Sequence, residues 1–193
     1  IQTGVAPGAI EPYRTSVLRG RVLHTSGVPL PGVQITVLDH PEFGATLSRA
    51  DGAYDMVVNG GGNITVAYEF DGYLCAQRTL DAGWQEYVNV DDVVLVQLDK
   101  KATEISMDGY TGIQVARAGT VADQDGVRTA TLIFPAGTEA SMVMPDGSAE
   151  DLDILTVRAT EYTVGSNGPQ AMPAELPPQV AYTYCVELSA DEA

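Results

Sequence analysis

Turn-forming residues recur every eight to twelve positions along this chain, and that spacing leaves little room for a helix of ordinary length. Asp51-Gly52, Asn59–Gly62, Asp71-Gly72 and Asp146-Gly147 are examples. Between them, apolar residues alternate or run in short blocks rich in β-branched side chains, which suit a pleated, half-buried surface. Along Asn63–Phe70, Ile64, Val66, Tyr68 and Phe70 take one face, while Thr65, Ala67 and Glu69 take the other. Val33, Ile35 and Val37 repeat the pattern. The fold class is therefore all-β, with two consecutive β-sandwich-type domains in 193 residues.

The first domain reads as seven strands: Val17–His24, Val33–Asp39, Ala45–Arg49, Tyr54–Val58, Asn63–Phe70, Leu74–Leu80 and Val88–Asp99. The last contains VVLVQL, apolar on both faces, and is expected to be a central strand. Asp51-Gly52 reads as a tight hairpin turn with φ > 0 at the glycine, and Asn59–Gly62 as a longer one. The spacing predicts an N-terminal extension at 1–15, a sandwich at 16–100, a linker at 101–105 and a second β domain at 106–193, whose last strand is barely finished. Strands of the second domain are expected within 128–134, 138–144, 153–164 and 181–188, the last with Tyr182, Tyr184, Val186 and Leu188 on one face. Four prolines within 169–179 exclude a central strand there and predict a surface loop or an extended edge segment.

Charge narrows the partners. Ten Lys and Arg against 26 Asp and Glu give a net charge of −16, which disfavours nucleic acid and anionic membrane surfaces. The imbalance deepens along the chain: from Ser16 to Lys101 there are six basic and eleven acidic residues, and from Ala102 onward three and fourteen. No apolar run reaches the length of a membrane span. The start at Ile1, without a signal peptide, predicts an excised or processed piece of a longer chain. Cys75 and Cys185 lie in different domains, so a disulfide between them would have to cross from one to the other.

The opening His40-Pro41-Glu42 offers a histidine two residues from a carboxylate, the composition of a metal pair or of a base with its orienter. No second His or Cys at ligand spacing accompanies it, and the favoured reading is a turn histidine at a strand end. No G-x-S-x-G stands in the sequence, and neither Cys has a His close in sequence, so no catalytic residue is assigned. Asp123 and Asp125, ahead of Gly126, are the candidate metal ligands, resembling the start of a calcium loop but lacking its distal bidentate acid. The competing and favoured reading is a solvated Asp-Gly turn, since the chain uses Asp-Gly repeatedly. Asp91-Asp92 and Glu150, Asp151 and Asp153 are further acidic clusters. Trp84, Tyr87 and Tyr73 could stack on a carbohydrate, against the plainer role of sealing the sandwich end.

A resemblance emerges from the motifs taken together. Gly20 and Val22, Gly27–Pro29–Leu30, Gly32-Val33, Asp51–Tyr54 and Asp71–Tyr73 resemble the carboxypeptidase-regulatory-like domain, a prealbumin-like β-sandwich. With HPEFGATLSRADGAYDMVVNGGG, residues 16–100 look most like the version in teneurins and bacterial Rhs/YD-repeat proteins. The second half is similar to the segment that follows this domain in bacterial Rhs-type proteins, and its TLIFPAGT resembles, far more weakly, ZU5-like β domains. The resemblance implies a non-catalytic plug or connector of a larger secreted or cell-surface protein. Its partners would be neighbouring domains of the parent polypeptide, and no cofactor is implied. A calcium-stabilised adhesion module and a carbohydrate- or protein-binding module stay open as alternatives.

Overall fold

The computed structural model describes residues 1–124, 126–163, 168–175 and 184–192. Two compact units divide the chain. The first takes Ile1–Leu98 and Ser166–Ala181, and the second Asp99–Gly165 and Tyr182–Ala193. Nearly all the regular structure is β, as the turn spacing requires.

The first unit contains β1 (Thr15–His24), β2 (Gln34–Val37), β3 (Ala45–Leu47), β4 (Ala53–Asn59), β5 (Gly62–Glu69), β6 (Ala76–Ala82), β7 (Tyr87–Asn89) and β8 (Val93–Leu95). One sheet runs β3-β2-β5-β6, antiparallel throughout. The other runs β4-β1-β7, with β8 also pairing with β1. The register read from alternation is observed: Val33, Ile35, Val37, Ile64, Val66 and Tyr68 are all buried in one core with Leu18, Val22, Tyr54 and Met56.

Three expectations need correction. The turn at Asp51-Gly52 closes as expected, with φ +76° at Gly52 and hydrogen bonds from Gly52 to Arg49 and from Arg49 to Ala53, but the strands it joins, like those joined at Asn59–Gly62, lie in different sheets. Each carries the chain between the sheets, because alternation specifies a strand's buried face and not its partner. The long strand expected at Val88–Asp99 breaks around Asp91-Asp92 into β7 and β8, both parallel to β1 along a single edge of it. Val93–Val96 are buried on both faces even so, because a one-turn helix, α1 (Gly168–Ala171), packs on β8. The proline-rich stretch is thus, over its described residues, part of the first unit and not a loop of the second. Residues 176–179 of it lie outside the described residues.

The N-terminal residues do more than extend the domain. Thr3 exchanges both backbone hydrogen bonds with Ala45, at 2.8 and 2.9 Å. The Gln2 amide accepts from the Val57 N–H at 2.7 Å and donates to the Val57 carbonyl at 2.9 Å, standing in for a neighbouring strand. Asn59 donates to the Ala9 carbonyl and accepts from the Glu11 N–H. Free edges of β3 and β4 are thereby satisfied, which removes a template for strand addition.

At the centre, Tyr54 of one sheet and Tyr68 of the other meet through their hydroxyls at 2.6 Å, both fully buried. Gly20 lies directly opposite Tyr54, and a Cβ there would sit 2.8 Å from the tyrosine ring. A glycine in mid-strand, weak by propensity, is the space the ring needs.

The second unit contains β9 (Ala102–Ser106), β10 (Gln114–Arg117), β11 (Val121–Asp123), β12 (Gly126–Arg128), β13 (Thr131–Phe134), β14 (Ala140–Val143), β15 (Ala149–Leu152), β16 (Ile154–Glu161) and β17 (Val186–Ala190). A sheet of order β17-β16-β9 is joined by three two-stranded ribbons: β10-β13, β11-β12 and β14-β15. The stretch 101–105, expected as a linker, is mostly β9, paired with β16 over Ile154–Arg158. Thr103 and Ile105 alternate within ATEIS, and this period outweighs the polar flank. Ile105, Met107, Ala116 and Val157 form a small core, flanked by Leu132, Phe134, Ala140 and Leu155. Tyr182 lies outside the described residues. Of the face it was expected to share, Tyr184 and Leu188 are exposed.

Burial pushes the Tyr54 hydroxyl far above the usual phenol range, with the neighbouring Tyr68 adding to the effect. Burial likewise pushes Tyr68 up to about 12. Below the ordinary phenol pKa of about 10, both states are protonated and the fold keeps its full stability. Above it the unfolded chain ionises first, so stability falls as pH rises through 10 towards the folded values. Denaturant titrations between pH 8 and 12, on the order used for phenols, should show this loss, and Tyr54→Phe should flatten it.

Candidate functional site

The acidic hairpin of the second unit closes on an ion pair. Asp123 pairs with Gly126 across β11 and β12, which makes Arg128 a diagonal neighbour on the same face. Its guanidinium donates to both Asp123 oxygens, at 2.8 and 2.5 Å, and through Nε to Glu161 at 2.9 Å. These hydrogen bonds, to Asp123 and then Glu161, raise the Arg128 pKa. Asp123 is therefore a bidentate acceptor for an arginine. Asp125, the second candidate calcium ligand, lies outside the described residues. Asp151 and Asp153 line an open hollow of about 430 Å³ with Asp108 and Glu139. Among the described residues no three His, Cys, Asp or Glu side chains converge as a metal set.

His40 and Glu42 do come together, with Nδ1 and Oε1 2.8 Å apart at a 3₁₀ turn over Pro41–Phe43. His40 stacks on Phe43, and its hydrogen bond holds the Glu42 carboxyl below the usual range. They border a hollow of about 460 Å³ with Arg14, Asn59 and Gly60–Gly62. The polar side chains there serve the N-terminal segment: Arg14 binds Glu11 and the Gly60 carbonyl, and Asn59 binds Ala9 and Glu11. Gly60 is forced by close approach, since a Cβ would lie 1.8 Å from the Gly83 carbonyl.

The aromatic candidates separate. Tyr73 packs with Phe70 and His24 beside the core. Trp84 lies over Gly61 yet stays 61% exposed, and Tyr87 is 68% exposed. Arg19 sits 5.2 Å from the Tyr87 ring centroid and donates to Asp55, which Arg49 also binds. Those two arginines, Arg19 foremost, hold the Asp55 carboxyl below its usual range.

One feature escaped the sequence reading. On the ribbon β10-β13, Val115 stands directly opposite Ile133, and both point to solvent, with Ile113 beyond them. They are 48%, 66% and 70% exposed, while Ala116, Leu132 and Phe134 turn to the core. The signal was present in TLIF: three consecutive apolar residues make a two-stranded ribbon apolar on both faces. Singly exposed apolar residues are ordinary, and Val127 and Val143 are others, but here three share one face of a single ribbon.

The first unit, then, is a two-sheet β-sandwich. More particularly, residues 10–95 match the family model described as "Teneurin TTR-like domain", which supports a teneurin-type transthyretin-like β domain over that stretch. The chain is 42% identical to teneurin-1 of Gallus gallus over 110 residues, covering 56% of this chain and 4% of the relative. It is 32% identical to teneurin-3 of Mus musculus over 111 residues, again 56% and 4%. It is also 34% identical to teneurin-m of Drosophila melanogaster over 93 residues, 48% and 3%. The chain thus spans only 3–4% of the length of these relatives. Among solved structures, a 3-chlorocatechol 1,2-dioxygenase from Rhodococcus opacus aligns at a TM-score of 0.38 and 10% identity, over 50% of this chain and 65% of that one. Nothing about fold or chemistry rests on that likeness. Among the described residues, no helix is long and apolar enough to cross a membrane.

Proposed function

We propose that the chain is a non-catalytic structural module of a larger secreted or cell-surface polypeptide, a plug and connector that docks onto neighbouring domains of its parent. The observation that carries this reading is the exposed row Ile113, Val115 and Ile133. The teneurin-type domain and the much greater length of the relatives support it. The narrower attribution, to an Rhs/YD-repeat parent with a carboxypeptidase-regulatory-like first domain, rests on the motif pattern through Asn59–Gly62. On this reading the two β domains are separate folding units, the second presenting the docking face.

The test compares this chain alone with a longer parent polypeptide by hydrogen exchange. Amides of β10 and β13 should gain protection in the parent. Val115→Lys with Ile133→Glu, opposite charges across the ribbon, should abolish that gain while changing the melting of the shorter chain little, because both side chains are already largely in solvent. Equal exchange in the two contexts would contradict docking through this face.

The acidic hairpin is read as a turn fastened by Arg128, since an ion on Asp123 would have to displace the guanidinium. The exposed Trp84 and Tyr87 favour the carbohydrate alternative over calcium, and a bound sugar would shift the fluorescence of Trp84, the single tryptophan. Melting in chelator, in calcium and in magnesium at matched ionic strength separates the metal readings. Screening alone gives a small rise shared by both ions. A calcium site would add roughly 2.7 kcal/mol at a hundredfold excess over Kd, lost in Asp125→Asn. The expected result is the small, unselective rise, and a large calcium-selective one overturns the turn reading.

A further inference from the structure

Arg78, on β6, is 6% exposed in a chain with only ten Lys and Arg. Burial works against its charge, and what meets the guanidinium is a set of backbone carbonyls. Nη2 donates to Gln170 at 2.6 Å, and Nη1 donates to Met172 at 3.1 Å and to Gln77 at 2.6 Å. Beside it the Gln77 N–H donates to the Pro173 carbonyl at 2.7 Å. Ala171 and Met172 are 1% exposed, and α1 covers the outer face of β8, where Val94 would otherwise meet water. Three hydrogen bonds and an apolar contact therefore converge on a segment separated from β6 by about ninety residues, while the fourth, to Gln77, stays within β6.

We infer that the surface formed by β6 and β8 is a capture site for a carbonyl-presenting peptide that is uncharged through its centre, and that residues 168–175, with Glu175 at their end, are its occupant and not merely a connection. The occupant's composition fits. Gly168–Ala174 reads GPQAMPA, seven residues without a charge in the half of the chain that carries fourteen acids. The rim of the groove holds Asp91, Asp92 and the segment's own Glu175, so a further carboxylate at the centre is disfavoured, while Arg78 reads backbone carbonyls that an uncharged centre offers. Selectivity falls to the centre, where a buried methionine adapts to an irregular apolar hollow. The fit is incomplete: a space of about 260 Å³, lined by Arg78, Leu80, Val90 and Gln170, stays open beside the segment. A surface built in this way takes the same segment offered as a separate molecule.

The experiment uses the full chain and follows the Gln77 amide by hydrogen exchange. Met172→Asp should displace the segment and speed that exchange about tenfold or more, with β2 and β5 amides unaffected. Adding the synthetic octapeptide Gly168–Glu175 at millimolar concentration should restore the slow exchange, and the same peptide with Met172→Asp should not. Arg78→Lys, which keeps the charge but not the fork of donors, should by itself speed Gln77 exchange and prevent rescue. Unchanged exchange in both variants would mean that the segment is not captured. Faster exchange that the octapeptide fails to restore would mean that the groove is no receptor.

Discussion

A single hydrogen bond between two phenols spans the first unit's core, and much of the structure is arranged around it. Tyr54 and Tyr68 come from opposite sheets, and their hydroxyls meet where no water is available to replace either partner. An unmatched hydroxyl there would carry the full desolvation penalty, so the two residues fix the spacing and register of the sheets together. Gly20 follows from the same demand, because any side chain opposite Tyr54 would occupy the ring's place. Val22, Ile35 and Val66 then fill the remaining volume.

A two-sheet frame held from within leaves its edges to be managed. Three of those edges, at β3, β4 and β6, are met by pieces of chain remote in sequence. Gln2 and Thr3 satisfy β4 and β3, and Pro173 and the carbonyls around Met172 meet β6 and Arg78. The second unit is built differently. Its core is small, its ribbons are two-stranded, and part of its apolar surface faces outward on β10 and β13.

What the sequence made legible was local. Alternation placed Ile35, Val37, Ile64, Val66 and Tyr68 inside, and the turn chemistry of Asp51-Gly52 called for the positive φ that is found. Pairing was not legible, because Gly52 permits a turn equally well within a sheet or between sheets. The doubly apolar Val93–Val96 announced burial on both faces without naming α1 as the cover. The acidic hairpin was flagged through Asp123, yet its partner Arg128 was within reach of the same stretch, since pairing at Gly126 sets that arginine diagonally across. The row on β10 and β13 was missed because an apolar block in a strand reads as core by default.

The claim that the tyrosine bridge organises the first unit is most directly tested by a double-mutant cycle on Tyr54→Phe and Tyr68→Phe, read by denaturant unfolding at neutral pH. Each single change leaves one buried hydroxyl without its partner and should cost about 1–3 kcal/mol. The double variant, with neither hydroxyl left to satisfy, should cost clearly less than the two singles combined, a coupling of about 0.5–3 kcal/mol. Small, strictly additive losses would contradict the account, and would place the organising interaction elsewhere in the core.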